Sequence, residues 1–151
     1  MPPKVPRIQE CVEGYLFHGF PPRFLVLRRP VERGDFWVPV SGKVETADTS
    51  FAEAIRREVL EETGISRPRR VFPLDWEVTF DGPDGRDWRL HAFGVEVEEE
   101  ARPQLSEEHV AYEWVDGAEA VARLHFADNR EAVSRLSALV AAERRVTGPK
   151  T

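Results

Sequence analysis

Three glutamates, Glu58, Glu61 and Glu62, crowd into the stretch AIRREVLEETGI at residues 54–65. On a helix, residues three and four apart share a face, so Glu58 stands beside both of the others. Each such like-charge pair costs an isolated helix roughly a few tenths of a kcal/mol. The carboxylates also fall near the negative end of the helix dipole, where they are least favoured. Two readings account for the pattern. One is an acidic face solvated by water and offset by Arg56 and Arg57. The other is a cation site. A hard, oxygen-seeking ion such as Mg²⁺ needs few protein carboxylates, because waters and substrate phosphates complete its shell.

The elements around the cluster bear on that choice. Ser50 with Glu53 three residues later predicts a capped helix start, and Gly64 is a suitable stop. Phe51, Ala54, Ile55, Val59 and Leu60 supply its apolar stripe. Ahead of the helix, CVEGYLF and RFLVLRR read as strands joined by HGFPP, and DFWVPVSG as a short strand leading into a loop at Gly42. A loop of backbone carbonyls followed by a helix of carboxylates suits Mg²⁺. After the helix, VFPLDWEVTF and DWRLHAFGVEV flank DGPDGR as a hairpin, EEEARPQLSEE is an acidic loop, and HVAYEWV alternates as a strand. A terminal helix over NREAVSRLSALVAAERR carries Ala132, Val133, Leu136, Leu139 and Val140 on its apolar stripe. Strands, one helix, more strands and a last helix predict a layered α+β or α/β fold, with a mixed sheet between the acidic helix and the C-terminal helix.

At 151 residues the chain reads as a single domain, 1–151, with ends expected to fray near 1–7 and 146–151. A net charge of −6 makes long nucleic acid an unlikely partner, while a bound divalent ion can still attract a small polyphosphate. One cysteine, Cys11, excludes an internal disulfide and fits a reducing cytoplasm. MPPKVPRIQE has prolines where a signal peptide has its apolar core, and no apolar run approaches the ~20 residues of a membrane span.

The stretch GKVETADTSFAEAIRREVLEETGI resembles the signature of the Nudix hydrolases. Arg57, Glu58, Val59, Glu61, Glu62, Gly64 and Ile65 match its second half position by position. The first half departs from it: Gly42 lies one residue further from Arg57 than the pattern prescribes. Counting back from Arg57 puts Thr49 at the family's first glutamate, and counting forward from Gly42 puts Asp48 there. A one-residue insertion, with Asp48 in the glutamate's role, reconciles the two counts. RRPVERGDFWVPVSGKVE, with Phe36-Trp37, and the segments holding Glu108-His109, Tyr112, Trp114 and Asn129-Arg130 resemble one branch, the dihydroneopterin triphosphate (dATP) pyrophosphatases. Asymmetric dinucleoside tetraphosphate hydrolases share some of these features.

The resemblance implies an α/β/α layered domain that uses Mg²⁺, with Mn²⁺ able to substitute, to hydrolyse a nucleoside or pterin polyphosphate as a monomer or homodimer. It assigns the metal to Glu58 and Glu62, with Glu61 beside them, the Gly42 carbonyl contributing, and Glu108 from outside the helix as a ligand or water activator. Arg57 orients the carboxylates and ties helix to loop; the plain alternative is a surface ion pair. Glu107 competes with Glu108 for its role. Arg28, Arg29 and Lys43 are the candidates for gripping phosphates, and Trp37 either stacks on the base or pterin or packs in the core. His109 holds the loop or contacts substrate. His18, His91, His125, Trp76, Trp88 and Trp114 are read as structural. A Nudix-like domain that binds a nucleotide without hydrolysing it is the non-enzymatic alternative.

Overall fold

A computed structural model of the chain describes residues 7–99 and 101–147. Its elements in order are β1 (Ile8–His18), β2 (Arg23–Arg28), a 3₁₀ turn (Val31–Arg33), β3 (Trp37–Val38), β4 (Val40–Lys43), α1 (Phe51–Thr63), β5 (Arg70–Asp81), β6 (Asp87–Glu96), β7 (Ala111–Asp116), α2 (Gly117–Arg123) and α3 (Ala127–Thr147). The sheet is mixed. β1 runs parallel to β6 from Ile8 to Phe17, while its pairings with β2 and β4, and that of β5 with β6, are antiparallel.

Alternation along β1 sends its side chains to two cores, one on each face of the sheet. Val12 and Leu16 pack with Ala54, Ile55 and Val59 of α1. Tyr15 and Phe17 pack with Ala120 of α2 and Ala132, Val133, Leu136 and Val140 of α3. The α/β/α layering expected from the sequence is therefore the observed one.

Several local expectations change. Residues 37–43 form two short strands rather than one strand and a loop. Pro39 has no N–H to give to a ladder, and the chain leaves β2 there and pairs Gly42 with Val12 of β1 instead. Gly42 thus lies inside β4, and the loop starts after Lys43. In α1 the inward stripe is displaced from the expected one. Phe51 and Leu60 are 38% and 49% exposed, whereas Glu58, Glu62 and Thr63 are buried with Ala54, Ile55 and Val59. Leu139 of α3 is likewise exposed. The helix α2 had no sequence expectation; Asp116 caps it by accepting from the Glu119 N–H. Of the ends expected to fray, residues 1–6 and 148–151 lie outside the described residues. Arg7 accepts a hydrogen bond from the Asp87 N–H, and α3 continues through Val146 to Thr147.

Candidate active site

The acidic helix begins as its sequence predicts. The Ser50 hydroxyl accepts from the Glu53 N–H at 3.0 Å, and Gly64 ends the helix with φ 74°. The Glu53 carboxylate turns back to accept from the N–H of Thr49 rather than from that of Ser50. Thr49 also bonds Glu53 through its hydroxyl, so it belongs to the cap.

Asp48 does different work. Arg57 Nε donates to its Oδ1 at 3.0 Å and Nη2 to its Oδ2 at 2.9 Å, a planar two-point grip. The same guanidinium reaches the Lys43 carbonyl at 3.0 Å, Glu58 Oε1 at 2.9 Å and Glu61 Oε2 at 3.3 Å. The hydrogen bonds that Arg57 donates to Asp48 hold its carboxyl below its ordinary range. Arg57 therefore links the end of β4, the loop and the helix carboxylates. Asp48→Ala is expected to reduce hydrolytic turnover at least about tenfold more than Thr49→Ala, since it frees a guanidinium that fixes carboxylate positions. Steady-state kinetics of the two variants across a Mg²⁺ titration checks the ranking, and the reverse order would place the extra loop residue elsewhere.

Glu62, Glu108 and His109 bring three ligand atoms within 4.8 Å of one another. Glu62 is only 1% exposed, its Oε2 has no partner among the described residues, and its Oε1 lies 3.8 Å from His109 Nδ1, too far for a hydrogen bond. Burial, with the Glu58 carboxyl bonded beside it and the Glu108 charge nearby, pushes Glu62 up to about 10. Burial also raises Glu58. Two carboxyl groups desolvated side by side each disfavour ionisation of the other. Burial and the nearby Arg29 and Arg33 charges lower His109 to about 4, so its ring is neutral.

Gly42 is what lets Glu58 in. A Cβ at this position would stand 2.6 Å from Glu58 Oε2 and closer still to Oε1. Glu61 is half-exposed on the Arg57 side, and Glu107, unlike Glu108, is not in the three-residue cluster.

A cavity of about 370 Å³ opens next to β4, lined by Gly42, Arg29, Lys43, Glu13, Trp88 and Asp128 among others. Gly42 thus borders the cavity and lies against the Glu58 carboxylate. Arg29 makes no ion pair among the described residues; its guanidinium lies 5.1 Å from the Phe36 ring centre. Arg28, the neighbouring candidate, is engaged elsewhere, donating to Asp35 at 2.8 Å. Arg28 ends β2, and Arg29 follows it outside the strand.

Trp37 does not line the cavity. It packs against the α3-side core with Arg123 over its ring, and its carbonyl accepts from His125. The indole in the cavity is Trp88, which the sequence reading left to packing. Its β6 position faces the site only because β6 lies parallel beside β1. Glu13 was also missed. Burial, with Asp128 adding to it, pushes Glu13 up to about 8.

The single mixed sheet packed by helices on both faces, with the acidic helix docked behind a strand–loop turn, defines a class of α/β/α proteins that gather carboxylates beside an open cavity. Within that class the NUDIX domain model matches residues 16–136, and the chain belongs to the NUDIX family. It is 30% identical over 125 residues to the dihydroneopterin triphosphate diphosphatase of Haemophilus influenzae, covering 75% of this chain and 77% of that protein. It is 39% identical over 119 residues to an octanoyltransferase of Myxococcus xanthus, a match covering 77% of this chain and 32% of that protein. The chain thus matches about a third of that relative's length. Among solved structures, the E. coli dihydroneopterin triphosphate pyrophosphohydrolase superposes with a TM-score of 0.75 at 24% identity, covering 86% of this chain and 95% of that one. A C. elegans Ap4A hydrolase binary complex gives 0.74 at 19% identity, covering 89% and 98%. At these identities the likeness is one of fold.

Proposed function

We propose that the chain is a Mg²⁺-dependent pyrophosphohydrolase that cleaves a nucleoside or pterin triphosphate to the monophosphate and pyrophosphate. The observation that carries this reading is the buried, unpartnered Oε2 of Glu62. A carboxylate desolvated this far and set against a second one needs a cation to ionise at neutral pH. The residues fit such an ion: the donors are chiefly carboxylate oxygens, and Gly42 leaves room for Glu58 where a Cβ would fill it. Glu58, Glu62 and Glu108 would hold the metal. The neutral nitrogen of His109 beside them supports Mn²⁺ as a substitute.

When bound, the metal supplies charge neutralisation on the phosphate oxygens and activation of water. The chain's own residues do the rest. Arg29 and Lys43 grip the outer phosphates, Arg57 keeps the helix carboxylates in place, and Glu108 takes the proton of the attacking water. Water adds to phosphorus as the bond between the α and β phosphates breaks, and pyrophosphate leaves. The 30% identity to a dihydroneopterin triphosphate diphosphatase supports this choice of substrate class. The lone buried thiol of Cys11 supports a cytoplasmic setting.

Phosphorus NMR of the products formed in ¹⁸O-labelled water tests the reading. The expected result is pyrophosphate plus a monophosphate, with Glu108→Gln slowing turnover about 10²-fold or more and Glu107→Gln less than about threefold. Intact triphosphates alongside consumed dinucleoside tetraphosphates would move the chain to the other branch. Binding without turnover of any of these would make it a nucleotide-binding domain.

A further inference from the structure

We propose that the cavity beside β4 is a slot for a fused heteroaromatic ring that stacks on Trp88 and turns an edge with two adjacent N–H donors, as guanine and pterins have, toward Glu13 and Asp128. The inference rests on the triphosphate reading for where the phosphates lie, and it adds what the other end of the substrate must be.

Trp88 is held as a platform. Its Nε1–H donates to Asp84 at 2.9 Å, and Phe80 packs against it at 6.2 Å between ring centres. Its five-membered ring lies over Gly82, where a Cβ would stand 2.7 Å from Cγ and closer still to Cδ1. The Lys43 ammonium is 5.0 Å from the indole centre, a contact a planar ring can displace while the ammonium turns to a phosphate. A side chain braced at its edge, its back and its N–H presents a fixed π surface, and a volume of about 370 Å³ is within the range of small-ligand pockets.

The polar end of the cavity is equally fixed. Glu13 Oε1 accepts from the Tyr15 hydroxyl at 3.0 Å, and Oε2 from Asn129 Nδ2 at 3.2 Å. Asn129 Nδ2 is also 3.1 Å from the Tyr15 oxygen, and Asn129 Oδ1 is buried without a partner among the described residues. Asp128, in the first turn of α3, approaches Glu13 closely enough for the two carboxyl groups to interact. Two carboxyl groups bring four oxygens and no N–H, so the pair offers chiefly acceptors. Adenine and cytosine place a lone pair beside their amino group, and thymine flanks its single N–H with two carbonyls. The amino-amide edge of guanine or a pterin instead offers an N–H and an adjacent NH₂, which fit a carboxylate at two points.

Calorimetric binding of GMP, IMP and ribose 5-phosphate in EDTA reads the slot without turnover. IMP lacks only the 2-amino group. The expected result is GMP binding about tenfold or more tighter than IMP. Trp88→Leu should weaken both nucleotides about tenfold or more while keeping their ratio, because stacking ignores the edge. Asp128→Asn, and Glu13→Gln where it folds, should collapse the GMP-to-IMP ratio toward one. Equal GMP and IMP affinities in the wild type, ribose 5-phosphate binding as well as GMP, or a ratio unmoved by Asp128→Asn would each overturn the slot. Discrimination between GMP and IMP without hydrolysis of any triphosphate would sink only the enzymatic reading. Triphosphate turnover that ignores the base would sink only the slot.

Discussion

Glu62→Gln is expected to lower Mg²⁺-dependent turnover by about 10³-fold or more, because the several kcal/mol that a metal contributes is tenfold in rate for each ~1.4 kcal/mol. The amide keeps the shape of the side chain and removes the charge that draws the ion. Metal-free protein should respond in the opposite direction. Glu62 is raised from its ordinary 4.5 to about 10 in the folded chain, so the folded state holds a proton that the unfolded state releases. Stability in EDTA is therefore greatest below pH 4.5 as far as this group is concerned, and falls as pH rises toward 10. Glu62→Gln removes that slope and should raise the EDTA Tm at pH 7 by about 3 °C or more. Thermal melts across pH, with and without Mg²⁺, measure both effects. Turnover near that of the wild type in saturating Mg²⁺ would remove Glu62 from the chemistry. A pH slope unchanged by the mutation would remove it from the proton balance.

Gly42→Ala separates the cradle from the ligands it admits. Its Cβ would enter the space of the Glu58 carboxylate, which is the mobile end of a side chain and can swing aside. The strand tolerates alanine, so the EDTA Tm should stay within about 2 °C of the wild type, the shift of a sub-kcal/mol change. The displaced carboxylate should raise the Mg²⁺ concentration for half-maximal activity at least about tenfold and cut kcat/KM about 10²-fold, as a misplacement of about 1 Å does at a reacting centre. Gly42→Ser should be at least as impaired. An unchanged Mg²⁺ requirement in either variant would show that Glu58 does not need the space.

Much of this architecture was legible in the sequence because it is set by local rules. Ser50, Glu53 and Gly64 fixed the ends of α1, and the DGPDGR turn marked the β5–β6 hairpin. The resemblance put Asp48 in the role of the family's first glutamate, and the structure joins Asp48 to Arg57 in a two-point grip. The inward stripe of α1 was misjudged at Phe51 and Leu60. A hydrophobic pattern ranks residues by type, yet this helix turns Glu58 and Glu62 inward, the step that makes it a site.

The sequence by itself determined the family signature, the layered α+β order and the acidic helix, all of which depend on neighbours within a few residues. Tertiary structure decided which of the candidates meet. Arg29 rather than Arg28 reaches the cavity because Arg28, the last residue of β2, is held by Asp35, and Trp88 rather than Trp37 supplies its ring because β6 lies beside β1 while Trp37 turns toward Arg123. The burial that raises Glu62 and Glu13 exists only once α1 and α3 close over the two faces of the sheet. Desolvation is a property of the packed molecule, and no spacing along the chain records it.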